Sequence, residues 1–334
     1  MAKMRAFVAT DSKAKPELMK VDIPQIKDYE VLVEVAAASI NPVDQMYRLM
    51  QKGMQIKTSY PFILGNDFSG TIVALGKMVK KYQIGDKVYG RIKGTDSGTF
   101  AEYVAVDSQV IAPIPQNMSL TDATAVPLVG LTAYQALFDR LDLQKGQKIF
   151  INAGSGGVGS MAIQLAKAKG AYVATTVSPR NIDLVKRLGA DEIIDYHQED
   201  FSEILKDYDA VFDTHGQKDT IKSLKILKSH GKVVTIAGMP EIDFARERKL
   251  NLVRRVLFKI VSRPIIEQAK SKDISYRFFL MEPDGQQLRK LTTLIENKQL
   301  EPLIDRIFTF DKIEEALAYS KKGHNVGKVI VKIK

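Results

Sequence analysis

Up to about residue 115 the apolar positions fall in short runs: Glu30–Val35 (EVLVEV), Gly70–Leu75 (GTIVAL), Asp86–Ile92 (DKVYGRI) and Phe100–Val106 (FAEYVAV), separated by Gly, Asp and Lys. Short, partly alternating runs bounded by turn residues predict the strands of a barrel or sandwich. From Ala123 the spacing becomes helical. Beyond Lys148, strand-like runs (KIFIN, AYVATT, EIID, AVFDT, KVVTIA) alternate with amphipathic helical stretches, the rhythm of a parallel α/β sheet. No fixed-period repeat or low-complexity linker is present, so the domain boundaries are expected in compact connections near Pro127 and Pro283.

Length fits that division, since 334 residues correspond to about two domains at roughly 100–200 residues each. Cysteine is absent, which excludes disulfides, thiolate zinc sites and a cysteine nucleophile. The four histidines are His197, His215, His230 and His324, so a zinc site in the amino-terminal part would have carboxylates alone. The start, MAKMRAFVAT, lacks a long apolar stretch, and no run has the roughly 18 uncharged apolar residues of a membrane span. A cytoplasmic location is the expectation. A net charge of +10 favours anionic ligands, from nucleotides to nucleic acid or acidic lipid. The basic residues are spread along the chain without a recognised RNA or DNA module, so no specific nucleic-acid partner is expected.

After the run KIFIN comes Ala153-Gly154-Ser155-Gly156-Gly157-Val158-Gly159, a G-x-G-x-x-G spacing. A strand precedes it, and Val158, Met161, Ala162, Leu165 and Ala166 form a helix stripe that Gly170 can end, the context in which this spacing binds a dinucleotide. Gly154 permits the tight turn, Gly156 lets the backbone approach a pyrophosphate, and Gly159 lets helix and strand pack closely. Ser155, Gly157 and Val158 complete the loop, and the helix N-terminus stabilises phosphate charge. A bare strand-to-helix turn needs one glycine and not three. About 20 residues further on, where an acid would bind the ribose of NAD, none is found. Thr176-Val177-Ser178-Pro179-Arg180-Asn181 instead offers Thr176 and Ser178 hydroxyls and the Arg180 guanidinium to a 2′-phosphate, which predicts NADPH. Arg180 as a plain surface cation is the alternative. Two later strand ends, Asp213-Thr214-His215-Gly216 and Ala237-Gly238-Met239, are expected to line the same groove, although each glycine could be a turn residue.

Ala245–Lys270 breaks the rhythm, with eight Arg or Lys and with Leu250, Val253, Leu257, Ile260 and Val261 at helical spacing. A basic lid or a membrane-surface helix is one reading. The favoured one is an amphipathic helix packed on its own domain with a solvated basic face.

The chain resembles the medium-chain dehydrogenase/reductase superfamily and, within it, the zinc-free quinone oxidoreductases. The residues that carry the match are Ala38-Ser39-Ile40-Asn41-Pro42-Val43-Asp44, Pro61 to Gly70 (PFILGNDFSG), Ile84 to Gly90 (IGDKVYG), Gly98 to Tyr103 (GTFAEY), Gly130-Leu131-Thr132-Ala133-Tyr134, the glycine-rich loop and Gly327-Lys328-Val329. The resemblance implies an α/β protein: a GroES-like β-rich catalytic domain from residues 1–126 and 282–334, plus a Rossmann doubly wound parallel sheet domain over 127–281. Zinc-dependent members would carry cysteine near Asn41 and a His-Glu pair near Asn66, where this chain has Asn-Pro-Val-Asp and Gly-Asn-Asp. The implied reaction is NADPH-dependent reduction of a quinone or an α,β-unsaturated carbonyl. An enoyl thioester reductase of the same superfamily is the close alternative, and a nucleic-acid-binding role the remote one.

Such a reaction leaves charge on oxygen and needs a donor there. Asn41 matches the family's active-site asparagine, and Tyr47, near it in sequence, is a second candidate donor; Asp44 is read as fixing the segment. Asn41-Pro42 as a simple turn and Tyr47 as a packing aromatic are the bland readings. Thr132 resembles the residue that lies against the nicotinamide. Tyr196 and Lys328 occur where relatives approach the cofactor. Relatives pair through the last Rossmann strand, here Ile274–Leu280, so a homodimer is expected. Peripheral membrane contact stays open.

Overall fold

A computed structural model describes residues 2–44, 46, 60–93, 98–216 and 218–334. Tyr47 lies outside the described residues. The chain divides into two compact units, Met1–Leu131 with Glu282–Lys334, and Thr132–Met281.

The first unit opens with β1 (Lys3–Ala9), β2 (Glu17–Asp22), β3 (Glu30–Ile40), β4 (Phe62–Ile63), β5 (Asp67–Leu75), β6 (Lys87–Arg91), β7 (Tyr103–Asp107) and β8 (Ile111–Pro113). The second unit contributes β9 (Lys148–Ile151), β10 (Tyr172–Val177), β11 (Glu192–Asp195), β12 (Tyr208–Asp213), β13 (Leu227–Thr235) and β14 (Ser275–Phe278). The chain then returns to the first unit as β15 (Ile304–Thr309) and β16 (Lys328–Lys332).

In the first unit a seven-stranded sheet runs β15-β16-β3-β5-β6-β8, with β7 also on β3, and a three-stranded sheet runs β2-β1-β4. β3 is the spine. Val31, Val33, Val35 and Ala38 are fully buried in the main core and Ala37 in a second cluster with Ala125 and Ile330, and the strand pairs antiparallel with β5, β7 and β16. The expected strand at Glu30–Val35 runs on to Ile40, because the small side chains of Ala36–Ser39 let β5 and β16 flank it closely. Phe7, Phe68, Phe100, Ile72 and Ile111 fill the core against this sheet.

The second unit is a six-stranded, wholly parallel sheet in the order β11-β10-β9-β12-β13-β14. The order reverses at β9, so the carboxyl ends of β9 and β12 flank the switch point where ligands of doubly wound sheets bind. Phe150 of β9 stacks on Phe201 with ring centroids 4.4 Å apart, and Tyr208, Val211 and Leu224 extend that core. The helix Gly157–Ala168 follows β9 and ends at Gly170, whose φ of +83° is the left-handed conformation that a helix stop favours.

Candidate active site

The register of the first sheet gathers its polar residues at one end. Ser39 pairs with Asp67, the first residue of β5, and Ile40 pairs with Val329, next to the first residue of β16, Lys328. Residues 42–44 form a helical turn after Asn41, with Pro42 at its first position, where the missing N–H costs nothing. Asp44 folds back on this turn: its carboxylate accepts the Asn41 backbone N–H at 2.7 Å and the Asn66 amide at 2.6 Å.

Asn41, Asp44, Asp67 and Lys328 are buried, none above 4% exposed. The Asn41 Nδ2 group donates to Asp67 (3.0 Å) and to the Ser39 carbonyl (3.2 Å), while its Oδ1 accepts from the Lys328 ammonium. A carboxylate on one side and an ammonium on the other leave only this orientation of the amide. Lys328 also donates to the Ile40 carbonyl at 2.7 Å and lies 4.0 Å from Asp67. Asp67 accepts further bonds from the Ser39 hydroxyl (2.7 Å) and the Leu128 N–H (3.0 Å). Burial pushes the Asp44 carboxyl up to about 7, with the Asn66 and Asn41 bonds opposing. It raises Asp67 too, against the Lys328 charge, and lowers the Lys328 ammonium against the two carboxylates.

This arrangement changes the reading of two residues. Both Asn41 amide hydrogens are bonded inside the protein, and its amide joins Asp67 to Lys328. Lys328, expected beside the cofactor, has its ammonium committed to Ile40 and Asn41.

In the second unit the three glycines of the loop do different things. A Cβ on Gly154 would lie 2.3 Å from the Thr175 hydroxyl, and one on Gly159 would lie 2.2 Å from the Ala153 carbonyl, so both positions demand glycine for packing. Gly156 has an extended backbone (φ −75°, ψ 166°) that any residue adopts, and a Cβ there would meet a single atom, the Ala153 carbonyl at 3.3 Å. It is the N-cap of the helix Gly157–Ala168, and as glycine it brings no side chain to the first helical N–H groups. The contact at Gly156 is tight, yet milder than those at Gly154 and Gly159.

The loop is tied to the end of β10. Ala153, in the left-handed region at φ +53°, donates its N–H to the Thr176 hydroxyl at 3.2 Å, and Asn181 reaches the Ser155 hydroxyl at 3.2 Å. Thr176 is therefore a buried clamp on the loop, while Ser178 is half-buried and Arg180 exposed beyond the strand. Asn181 had no assigned role in the sequence reading; its place one residue beyond Arg180 was the available signal.

Asp213, expected among the residues that line the groove, is fully buried at the end of β12 and is an internal anchor. Its carboxylate accepts from Asn152 (2.8 Å), the His215 and Gly216 N–H groups, Thr220 (2.6 Å) and Thr235 (2.9 Å). Thr235 in turn accepts the Gly238 N–H at 2.8 Å. One carboxylate thus sets the loops after β9, β12 and β13. Gly238 is packed against Thr235 and Tyr276, Thr132 is buried on the helix Pro127–Tyr134, and Tyr196 is exposed with its ring on His197.

The comparisons with known proteins agree with this geometry. Residues 27–116 match the alcohol dehydrogenase GroES-like domain, and residues 188–331 match the family described as zinc-binding dehydrogenase. The chain is 34% identical to a 2-methylene-furan-3-one reductase of Solanum lycopersicum, over 99% of this chain and 79% of that protein. It is 33% identical to the chloroplastic NADPH-dependent alkenal/one oxidoreductase of Arabidopsis thaliana, over 98% and 79%. Among solved structures, the quinone oxidoreductase from Coxiella burnetii superposes with a TM-score of 0.85 at 32% identity, covering both chains completely. The chain belongs to the medium-chain dehydrogenase/reductase superfamily, in its quinone oxidoreductase branch, and is an oxidoreductase. The zinc in one family description does not fit the residues here. Asn41, Asn66 and Asp67 stand where the resemblance places zinc ligands, and the Asn41 oxygen already faces an ammonium, whose charge would repel a metal ion.

Two consequences follow for stability. Lys328→Met leaves Asp67 buried without its counter-ion and should lower stability by about 3 kcal/mol or more, read as a drop in the urea midpoint. Asp44 holds a proton in the folded protein up to about pH 7, whereas the unfolded chain releases it near its ordinary 3.8. Folding therefore takes up a proton in that window, and Asp44's contribution falls as pH rises through it and levels above. Melting curves of the wild type relative to Asp44→Asn should show that decline; parallel curves would remove the linkage.

Proposed function

We propose that this protein is an NADPH-dependent reductase of quinones or of α,β-unsaturated aldehydes and ketones, acting without zinc, as a cytoplasmic homodimer. The observation that carries the cofactor is Gly156, the least crowded of the three loop glycines, at the N-terminus of a helix and beside a strand end with Ser178 and Arg180 and no acid. NADPH, when bound, supplies a hydride to the electron-poor carbon or quinone ring, and a solvent-derived proton completes the reduction. The backbone of Gly156, Gly157 and Val158 would hold the pyrophosphate; Ser155 is oriented for the same loop by Asn181. Ser178 and Arg180 would meet the 2′-phosphate.

The chain's part in the reaction is positioning. Asp213 holds the three strand-end loops, and the buried Lys328–Asn41–Asp67 cluster, with Asp44, holds the turn from Asn41 to Asp44 that leads towards Tyr47. Tyr47 is the proposed hydrogen-bond donor to the substrate oxygen. The names of the relatives, an alkenal/one oxidoreductase and a quinone oxidoreductase among them, support this substrate class.

Two variants separate binding from folding. Gly156→Ala should keep the melting temperature while weakening NADPH binding about tenfold or more, whereas Gly159→Ala should lower the melting temperature itself. The activity test is NADPH and NADH oxidation with a quinone, an alkenal, an enone and an enoyl thioester. Turnover is expected with NADPH and the first three, and Arg180→Glu should raise the KM for NADPH about tenfold or more while sparing NADH. Equal effects on both cofactors would overturn the 2′-phosphate assignment, and preference for the thioester would replace the proposed substrate class.

A further inference from the structure

The helix Leu252–Val261 (LVRRVLFKIV) has no buried residue. Leu252 is 74% exposed, Val253 76% and Ile260 63%, and Val256, Leu257 and Val261 are exposed as well. At about 100° per residue these six aliphatic side chains fill roughly half of the helix circumference, one continuous arc. The helix rests on its unit through the opposite side: Phe258 approaches Phe244 at 6.4 Å, and the Arg255 guanidinium donates to the Leu250 carbonyl at 2.7 Å. It is anchored at both ends, by buried Leu250 before it and by buried Ser262 and Ile265 after it. The favoured expectation from the sequence, an apolar face packed inward with the basic face in solvent, is reversed. A contiguous aliphatic face kept outward on a fixed helix marks an interaction surface.

Charge selects the partner. From Arg248 to Ile266 there are six cationic side chains and no carboxylate. Lys259 and Arg254 fall at the two borders of the aliphatic arc, and Lys249 precedes the helix, while Arg263 after it is paired with Glu267 at 2.6 Å. A second copy of the same face would set the bordering cations of one against those of the other. An anionic lipid surface satisfies both features at once, taking the aliphatic arc into its acyl boundary and the bordering ammonium and guanidinium groups at its headgroups. We propose that Leu252–Val261 docks this protein on the surface of a negatively charged bilayer, lying in the interface without crossing it. The docking is independent of the catalytic reading above.

The test is co-sedimentation of the full chain with vesicles of phosphatidylcholine alone and of phosphatidylcholine mixed with phosphatidylglycerol. Binding is expected on the anionic vesicles only, weakening at high salt. Lys259→Glu should weaken it about tenfold, and Val253→Asp with Ile260→Asp roughly a hundredfold. Both aliphatic positions are exposed, so the double variant should keep the wild-type melting temperature, which confirms that it folds. Absence of binding to anionic vesicles, or equal binding by the double variant, would overturn the proposal. So would a wild-type oligomer that the double variant converts to monomer, which would make the face a self-association surface.

Discussion

The Lys328 ammonium, buried between the Ile40 carbonyl and the Asn41 amide, joins the last strand of the chain to the third. The first unit is made from both ends of the sequence, and this contact and the β3–β16 ladder bring those ends together. Taking an ammonium and a carboxylate out of water is costly, and their attraction repays it only when every remaining donor and acceptor is satisfied. Here the satisfaction is nearly complete: Asn41 bridges the two charges, Ser39 and Leu128 complete Asp67, and Asn66 completes Asp44. The cluster therefore tolerates little displacement.

The second unit also buries a carboxylate at a strand end. Asp213 is surrounded by hydroxyl, amide and backbone N–H donors from five residues, so its charge is spread over dipoles that are themselves fixed in the strand ends. In both units a buried carboxylate at a strand terminus organises the loops beside it. Gly154 and Gly159 permit the nucleotide loop to exist, and Gly156 is the least crowded of the three.

The parallel sheet was legible because its runs are apolar throughout and separated by amphipathic helices, and the glycine loop because its spacing sits between two recognisable elements. β1 and β2 escaped notice: KMRAFVA mixes Lys and Arg with apolar residues, and ELMKVD is half exposed, so neither alternates cleanly. β15 and β16 are likewise defined by pairing across the chain, not by their own pattern. Asn41, Asp44 and Lys328 were singled out by motif, but their mutual contact depends on register between residues nearly three hundred positions apart, which no local spacing encodes. Asn181 and Asp213 stand in runs that the sequence points to, but their anchoring contacts depend on partners that local spacing does not reveal.

The basic helix shows the limit of periodicity from the other side. The spacing of Val253, Leu257 and Ile260 correctly indicates an amphipathic helix, yet amphipathicity is a property of the helix alone and does not say which face meets the protein. That choice is made by Phe258 and Arg255, the two residues on the far side of the wheel, and by the buried Leu250 and Ile265 that fix where the helix starts and ends. An aromatic ring and the long stem of an arginine supply enough apolar contact to hold the inner side. The aliphatic arc is then surplus to the fold, and its place beside Lys249, Arg254 and Lys259 suits contact with something both apolar and negative.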